Sequence, residues 1–295
     1  MIKENFKKND DYQLLDSGNF RKLERFGPYI FDRPSAQAPW SPMLSKKAWQ
    51  QCDAKYERSP QGQGKWIYFK KKSITPWLIH QKNKAFILKM TDFGHLGIFP
   101  EHLQIENHIE SMSISLGEIK RPKFLNLFAY TGSLSLHLAQ KFSCETVHLD
   151  ASKTSISWAR DNLEKTQINN SKIRWICDDA VKFVAREIRR NSQYEGIILD
   201  PPTYGRGQKG EIWKIEKHLP RLLKELRKIL RKDKYFIVLS SHSPGYTPIT
   251  LTNLLKESFP QAECQTAFEL FICEDKSERK LPSGACAIFS SGLST

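Results

Sequence analysis

The chain has 295 residues, 39% of them apolar and 26% charged, with a formal net charge of +14. This composition fits a soluble globular protein of one large or two moderate domains and argues against a disordered or fibrous chain. The start, Met1–Lys8, lacks the apolar stretch of a secretory signal, and runs such as Tyr235–Leu239 are too short to cross a bilayer, so a cytoplasmic protein is expected.

Residues 1–120 carry many aromatics and prolines. Short strand-like runs (Trp66–Phe69, Trp77–His80, Ala85–Met90) are divided by turn clusters such as Ser59–Gly64. The spacing predicts a small β-rich α+β domain over 1–120, a candidate for substrate recognition, in which Trp40, Trp49, Trp66 and Trp77 serve as core. From 121 to 295 strands alternate with helices, the pattern of a doubly wound α/β sheet. Strands are expected at Lys123–Phe128, Thr146–Asp150, Lys172–Cys177, Gly196–Asp200, Tyr235–Ser240, Cys264–Cys273 and Gly284–Ser290. Helices are expected at Ser133–Phe142, Lys153–Lys165, from Ala180 to about Arg190, and at Pro248–Phe259. Ile212, Ile215, Leu219, Leu222, Leu223, Leu226, Ile229 and Leu230 mark one apolar helical face, with Pro220 kinking that segment or starting its main helix. The six cysteines form no Cys-x-x-Cys pair and are read as reduced, buried thiols, so neither disulfides nor a metal site is expected.

The chemistry gathers where strands end. Ile197-Ile198-Leu199 stops at Asp200-Pro201-Pro202-Thr203-Tyr204. Two prolines remove two backbone donors and hold a rigid corner, presenting a carboxylate and a ring where open α/β sheets bind ligands. An ordinary strand-ending turn is the alternative. After the first strand, Asn126-Leu127-Phe128-Ala129-Tyr130-Thr131-Gly132 makes a single-glycine turn into a helix N-terminus. The absence of Gly-x-Gly-x-x-Gly argues against a dinucleotide and suits a carboxylate or amino-acid group better. Asp150 can accept from ribose hydroxyls and Asp179 from an adenine amino group, although Asp178 and Asp179 also suit helix N-caps. A ligand with ribose, adenine and an amino-acid end is S-adenosylmethionine. Between Arg206 and Lys234 stand eleven Lys/Arg against four Asp/Glu, a net of +7 and half the total excess. This points to a polyanion such as RNA, where the bland alternative is a solvated helix face.

The motifs at 126–132, 178–180 and 200–204, together with Ser241-His242-Ser243-Pro244-Gly245, resemble class I S-adenosylmethionine-dependent methyltransferases. The group most similar is that of the bacterial 23S ribosomal RNA methyltransferases, which includes cytosine carbon-5 and guanine nitrogen-7 enzymes. Leu15–Gly18, Arg21–Gly27, Arg33-Pro34, Gln37-Ala38, Gly97–Glu101 and Leu281–Gly284 extend the likeness over nearly the whole chain. The resemblance implies a Rossmann-like sheet of seven strands. It places Phe128, Tyr130, Thr131 and Gly132 around the methionine part of the cofactor, with Asp150 at the ribose and Asp179 at the adenine. Asp200 falls between cofactor and target, and Tyr204 stacks on a flipped base. The expected cofactor-binding set is thus Asn126, Phe128, Tyr130, Thr131, Gly132, Asp150, Asp178, Asp179 and Asp200, and the catalytic set is Asp200, Pro201, Pro202 and Tyr204. Members that methylate carbon 5 use a cysteine near the end of the fifth strand. Leu239–Pro244 has none, which favours a nitrogen acceptor. His242 is read either as a proton acceptor or base contact, or as a loop histidine. The expected partner is RNA, above all 23S rRNA or a ribosomal precursor, with no membrane, and a homodimer is compatible with the sequence. Methylation of a protein or small molecule, and an RNA-binding protein without turnover, are the competing functions.

Overall fold

The computed structural model describes residues 11–58, 64–70, 73–112, 116, 119–168, 172–207 and 210–293. The chain start, the turn residues 59–63 and Lys209 of the basic segment lie outside the described residues. The chain divides into two compact units, Met1–Pro100 with Phe271–Ser283, and Glu101–Leu270 with Gly284–Thr295. The division therefore falls before the expected 120/121. The helix that opens the second unit buries Ile105 and Ile109 in that unit's own core, so it cannot belong to the first.

In the first unit, β1 (Tyr12–Gly18), β2 (Arg21–Phe26) and β3 (Tyr29–Pro34) form an antiparallel meander. A short helix α1 (Lys46–Trp49) precedes β4 (Ala54–Arg58), which runs parallel to β3, and β5 (Gly64–Tyr68) completes the sheet. The strands β6 (Trp77–Gln81) and β7 (Lys84–Leu88) pair as a separate hairpin. The four tryptophans are half-buried rather than core: Trp66 and Trp77 pack around the fully buried Phe31, which stacks on Trp77 at 5.5 Å and meets Trp66 edge-on at 5.6 Å. The indole nitrogens of Trp40, Trp49, Trp66 and Trp77 all donate to internal acceptors. The Leu15–Gly18 motif has a physical reason. Asp16 is buried and accepts from the backbone of Ser17, Met43 and Leu44 and from Trp49, fixing the segment that follows β3. Glu24 is likewise buried, held by Arg33 and Tyr12. Burial would raise its carboxyl, but Arg33 and Lys22 reverse this and keep it low.

The second unit opens with α2 (His102–Ser111) and then alternates: β8 (Lys123–Leu127), α3 (Ser133–Lys141), β9 (Glu145–Asp150), α4 (Lys153–Thr166), β10 (Lys172–Cys177), α5 (Ala180–Arg189) and β11 (Gly196–Leu199). A small hairpin of β12 (Tyr204–Arg206) and β13 (Ile212–Lys214) precedes α6 (Ile215–Ile229), β14 (Tyr235–Ser241), α7 (Pro248–Ser258), β15 (Cys264–Cys273) and β16 (Lys280–Ser291). The seven-stranded sheet has the order β10-β9-β8-β11-β14-β16-β15. Strands β8 to β11 and β14 are mutually parallel, and β16 is antiparallel to β14. This is the expected seven-stranded α/β architecture.

The predicted strands recur with boundaries shifted by a few residues at most, and β9, β10, β11 and β15 stop at or just before an acid. The hairpin β12–β13 corrects one expectation: Ile212 lies on a strand and is exposed, so the apolar helical face begins at Ile215. Pro220 lies inside α6, which continues unbroken to Ile229. Leu219, Leu222, Leu223, Leu226 and Ile229 bury its inner face in the main core, where each side chain contributes about 1.5–3 kcal/mol. No helix among the described residues is long and apolar enough to cross a membrane.

Candidate active site

The direction of winding reverses between β8 and β11, which are neighbours although three helices separate them in sequence. Ligands of open α/β sheets lie at such a switch point, outside the carboxyl ends of the strands. The two turns singled out in the sequence, 128–132 after β8 and 200–204 after β11, are the ones that flank it.

The first turn is held in a demanding backbone. Phe128, Tyr130 and Gly132 have φ of 56°, 47° and 93°, so two side-chain-bearing residues occupy the left-handed region at roughly 1–3 kcal/mol each. Its surroundings over-determine it. The Tyr130 amide donates to Asp150 Oδ2 at 2.9 Å, Ala129 N–H to the Leu149 carbonyl at 3.0 Å, and the buried Asn162 amide to the Thr131 carbonyl at 3.0 Å. Asp150 Oδ1 accepts from the Ser152 amide at 2.8 Å. Burial raises the Asp150 carboxyl, and the backbone donors of Ser152 and Tyr130 offset only part of that rise. A carboxylate beside a strained turn and a helix N-terminus can hold a sugar and an amino-acid group together.

Asn126 is buried, and its amide donates to Ser135 Oγ at 2.9 Å; that oxygen in turn meets His148 Nδ1 at 2.9 Å. Asn126 therefore supports the turn from beneath. A Cβ on Gly132 would lie 3.1 Å from Ala159 Cβ and 3.6 Å from His148 Cε1, so the turn passes close over α4 and β9. Burial pushes the His148 imidazole down to about 3, with a hydrogen bond to the Tyr130 backbone offsetting part of the fall. His148 is neutral at physiological pH.

Asp179 is the N-cap of α5, its Oδ1 accepting from the Lys182 amide at 2.9 Å, and Asp178 pairs with Arg186 and accepts from the Asp179 amide. The capping alternative weighed for these two acids is thus realised at Asp179, which still stands at the carboxyl side of β10, whereas Asp178 pairs with Arg186 instead.

The second turn presents Asp200 between two imidazoles. Asp200 follows β11 and His242 follows β14, and these strands are parallel neighbours in register at Leu199 and Leu239. The pairing brings the two residues side by side, and the first residue of α2, His102, closes the group. Asp200 Oδ2 is 3.3 Å from His102 Nε2 and 3.4 Å from His242 Nε2. His242 Nδ1 is 3.6 Å from Oε1 of the buried Glu101. The donor atoms of His102, Asp200 and His242 all lie within 4.8 Å of one another, a set able to hold an ion. Burial would raise the Asp200 carboxyl, but His242 first and His102 second outweigh it and hold the group well below the usual carboxylate range. Asp200 Oδ1 is buried with no hydrogen-bond partner among the described residues, so a ligand donor suits it.

The Pro201-Pro202 corner is braced from outside. Trp213 Nε1 donates to the Pro202 carbonyl at 2.7 Å, and Thr203 Oγ1 meets Ser243 Oγ at 2.6 Å. The Trp213 ring packs on Phe128 at 4.8 Å, coupling the two turns. Tyr204 lies on β12 with its ring half exposed, and its hydroxyl accepts from Arg206. Cys286 pairs across from Ser240 on β16, is fully buried, and has its thiol pushed well up by burial and by Asp200. A thiolate nucleophile is therefore disfavoured even where a cysteine does approach Asp200.

Glu101, His102, Trp213 and Cys286 are the site residues that sequence reasoning missed as participants. Only the Gly97–Glu101 motif touched them, and it carried no reason of its own. Gly284, from another such motif, gains one here: with φ of 141°, a Cβ would meet His242 Nδ1 and the Ser241 carbonyl at 2.9 Å, so glycine lets β16 pass the imidazole.

Residues 107–257 match the family described as conserved hypothetical protein 95. The chain is 36% identical to the S-adenosylmethionine-dependent methyltransferase of Agrobacterium tumefaciens, covering 95% of this chain and 90% of that one with a TM-score of 0.87. A Streptococcus mutans protein described as a candidate S-adenosylmethionine-dependent methyltransferase shares the fold at 16% identity, over 96% of this chain and 76% of that one, with a TM-score of 0.73. The ribosomal RNA large subunit methyltransferase K/L of Syntrophotalea carbinolica is 32% identical over 126 residues, which are 43% of this chain and 16% of that protein.

Proposed function

The chain belongs to the S-adenosylmethionine-dependent methyltransferases of the conserved hypothetical protein 95 family, and we propose that it methylates a base nitrogen in RNA, the large-subunit ribosomal RNA. The observation that carries this reading is Asp200, an ionised carboxylate at the switch point with one buried oxygen awaiting a donor. When bound, the cofactor supplies an electrophilic methyl group on a sulfonium. The residues fit its parts: the 128–132 turn and the α3 N-terminus for the amino-acid end, and Asp150 for the ribose. Asp179 at the carboxyl side of β10 remains the candidate for the adenine, with one of its oxygens already engaged as a cap.

Asp200 Oδ1 accepts a hydrogen bond from the N–H of the acceptor, which orients the nitrogen lone pair and favours the positive charge that builds as the bond forms. A base must leave its stack to reach this point, and the half-exposed Tyr204 ring on the rim offers a stacking partner worth about 1–3 kcal/mol. The missing thiolate supports nitrogen over carbon. RNA is supported by the K/L relative, named for the large-subunit rRNA on which it acts, and by α6. There Lys217, Arg221, Lys224 and Lys228, spaced three and four apart, with Lys214 at the N-cap, form one exposed basic stripe opposite the apolar face. Lys224 and Lys228 are engaged by Glu257 and Glu225, whereas Lys217 and Arg221 have no ion pair among the described residues. Such a protein works in the cytoplasm, where ribosomes are made.

Mass spectrometry of nucleosides from large-subunit rRNA, from cells with and without this protein, tests the reading. One N-methylated nucleoside should disappear with the protein and return with the wild-type chain. An unchanged nucleoside profile would refute the RNA assignment.

A further inference from the structure

We infer that His102, Asp200 and His242 form a binding site for one divalent metal ion of the zinc class. The spacing of the donor atoms carries the inference. Asp200 Oδ2 lies 3.3 Å from one Nε2 and 3.4 Å from the other. Both imidazoles engage Asp200 at these lengths, which exceed the about 2.9–3.0 Å that an N–H···O hydrogen bond prefers. Two ligands on one tetrahedral ion, with bonds of about 2.0–2.2 Å, stand about 3.3–3.6 Å apart, which is the separation of Asp200 Oδ2 from each imidazole nitrogen. All three donor atoms are within 4.8 Å of one another.

The surroundings match those of a metal ligand set. The other nitrogen of His242 lies 3.6 Å from Glu101 Oε1, so a carboxylate stands beside the ring where ligating histidines have an outer-shell partner. Gly284 leaves room for the imidazole in that pose. The three ligands come from three elements, the start of α2 and the ends of β11 and β14, so each is set by rigid secondary structure. Two imidazoles and a carboxylate favour Zn2+, Co2+ or Fe2+ over Mg2+ or Ca2+. Three protein ligands leave a fourth position open, as catalytic rather than structural zinc sites do.

The acceptor is placed at Asp200 Oδ1, the other oxygen of the same carboxylate. As the methyl moves from sulfonium sulfur to nitrogen, the nitrogen must release a proton. Water on the ion, made more acidic by it, would stand there as hydroxide and take that proton. This role rests on the methyl-transfer reading, but the presence of the ion does not.

The test uses the full-length, chelator-treated protein with Zn2+ alone, followed by calorimetry, and with Co2+ alone, followed by visible absorption. One ion per chain and the intense absorption of tetrahedral Co2+ are expected. His102→Ala and His242→Ala should each weaken binding at least about 100-fold. Glu101→Gln should weaken it about tenfold, and His80→Ala, remote in sequence and exposed, should leave it unchanged. Circular dichroism and S-adenosylmethionine binding report whether the variants fold. No stoichiometric binding by the wild-type chain, an octahedral Co2+ spectrum, or unaltered affinity in folded His102→Ala and His242→Ala would overturn the inference. Because neither cofactor nor RNA is present, failure of the rRNA reading leaves this result untouched.

Discussion

His148 makes stability depend on pH through one residue beneath the cofactor turn. It is fully buried on β9, its Nδ1 meets Ser135 Oγ at 2.9 Å, and burial lowers its pKa to about 3 against about 6.5 in the unfolded chain. Above pH 6.5 the imidazole is neutral in both states and adds no pH dependence. As pH falls from 6.5 toward 3, the unfolded chain takes up a proton that the folded chain refuses, so stability drops across that window. At pH 5 the proton uptake spans about 1.5 pH units, and at about 1.36 kcal/mol per unit the loss is about 2 kcal/mol. Below pH 3 the loss saturates. Urea unfolding of the wild type and of His148→Gln, at pH 7.5 and pH 5, measures it. Other groups titrate in both proteins, so the difference between the two pH effects isolates His148. The wild type should lose about 2 kcal/mol more than the variant; equal losses would show that this imidazole is not held neutral and refute the reasoning.

Three further outcomes follow from the site. Gly132→Ala places a Cβ at φ of 93° and 3.1 Å from Ala159, and should cost about 1–3 kcal/mol in stability by thermal unfolding while weakening S-adenosylmethionine binding. Asp150→Asn removes the charge from an acceptor shared by Tyr130, Ser152 and the ribose; a hydrogen bond to a charged group is worth about 1.5–3 kcal/mol, so calorimetry should show cofactor affinity falling about ten- to a hundredfold. Lys217→Glu with Arg221→Glu should weaken RNA binding, and reduce its steepness against salt by about one unit per lost phosphate contact, with cofactor affinity unchanged.

Much of the second unit was legible because its physics is local. Runs such as Ile197-Ile198-Leu199, short, rich in β-branched residues and stopped by Asp200-Pro201-Pro202, read as buried strands, and Ile215 to Ile229 has one apolar face at helical spacing. Asp200 was found because an acid and two prolines are poor material for packing at a strand end. The hairpin β12–β13 was not legible: Tyr204-Gly205-Arg206 and Ile212-Trp213-Lys214 are too short to show an alternation, and they pair because the chain reverses between them, where Gly207 N–H donates to the Glu211 carbonyl at 2.8 Å. Nor was the group around Asp200, whose members at 102, 200 and 242 meet only through the order of the sheet. Asp179 shows the opposite difficulty, since a capping acid and a ligand-binding acid look alike in sequence, and the structure shows the first role through the hydrogen bond from Lys182. The return of residues 271–283 to the first unit was hidden for a similar reason: Glu274 accepts from Ser17 Oγ at 2.6 Å, a contact across most of the chain's length.

The central claim, that Asp200 presents an RNA base nitrogen to the cofactor's methyl group, is tested most directly by transfer from methyl-labelled S-adenosylmethionine to large-subunit rRNA. Purified wild-type protein should place the label on a base nitrogen. Asp200→Ala should transfer none while still binding the cofactor. Full transfer by Asp200→Ala, or label on a carbon, would contradict the account.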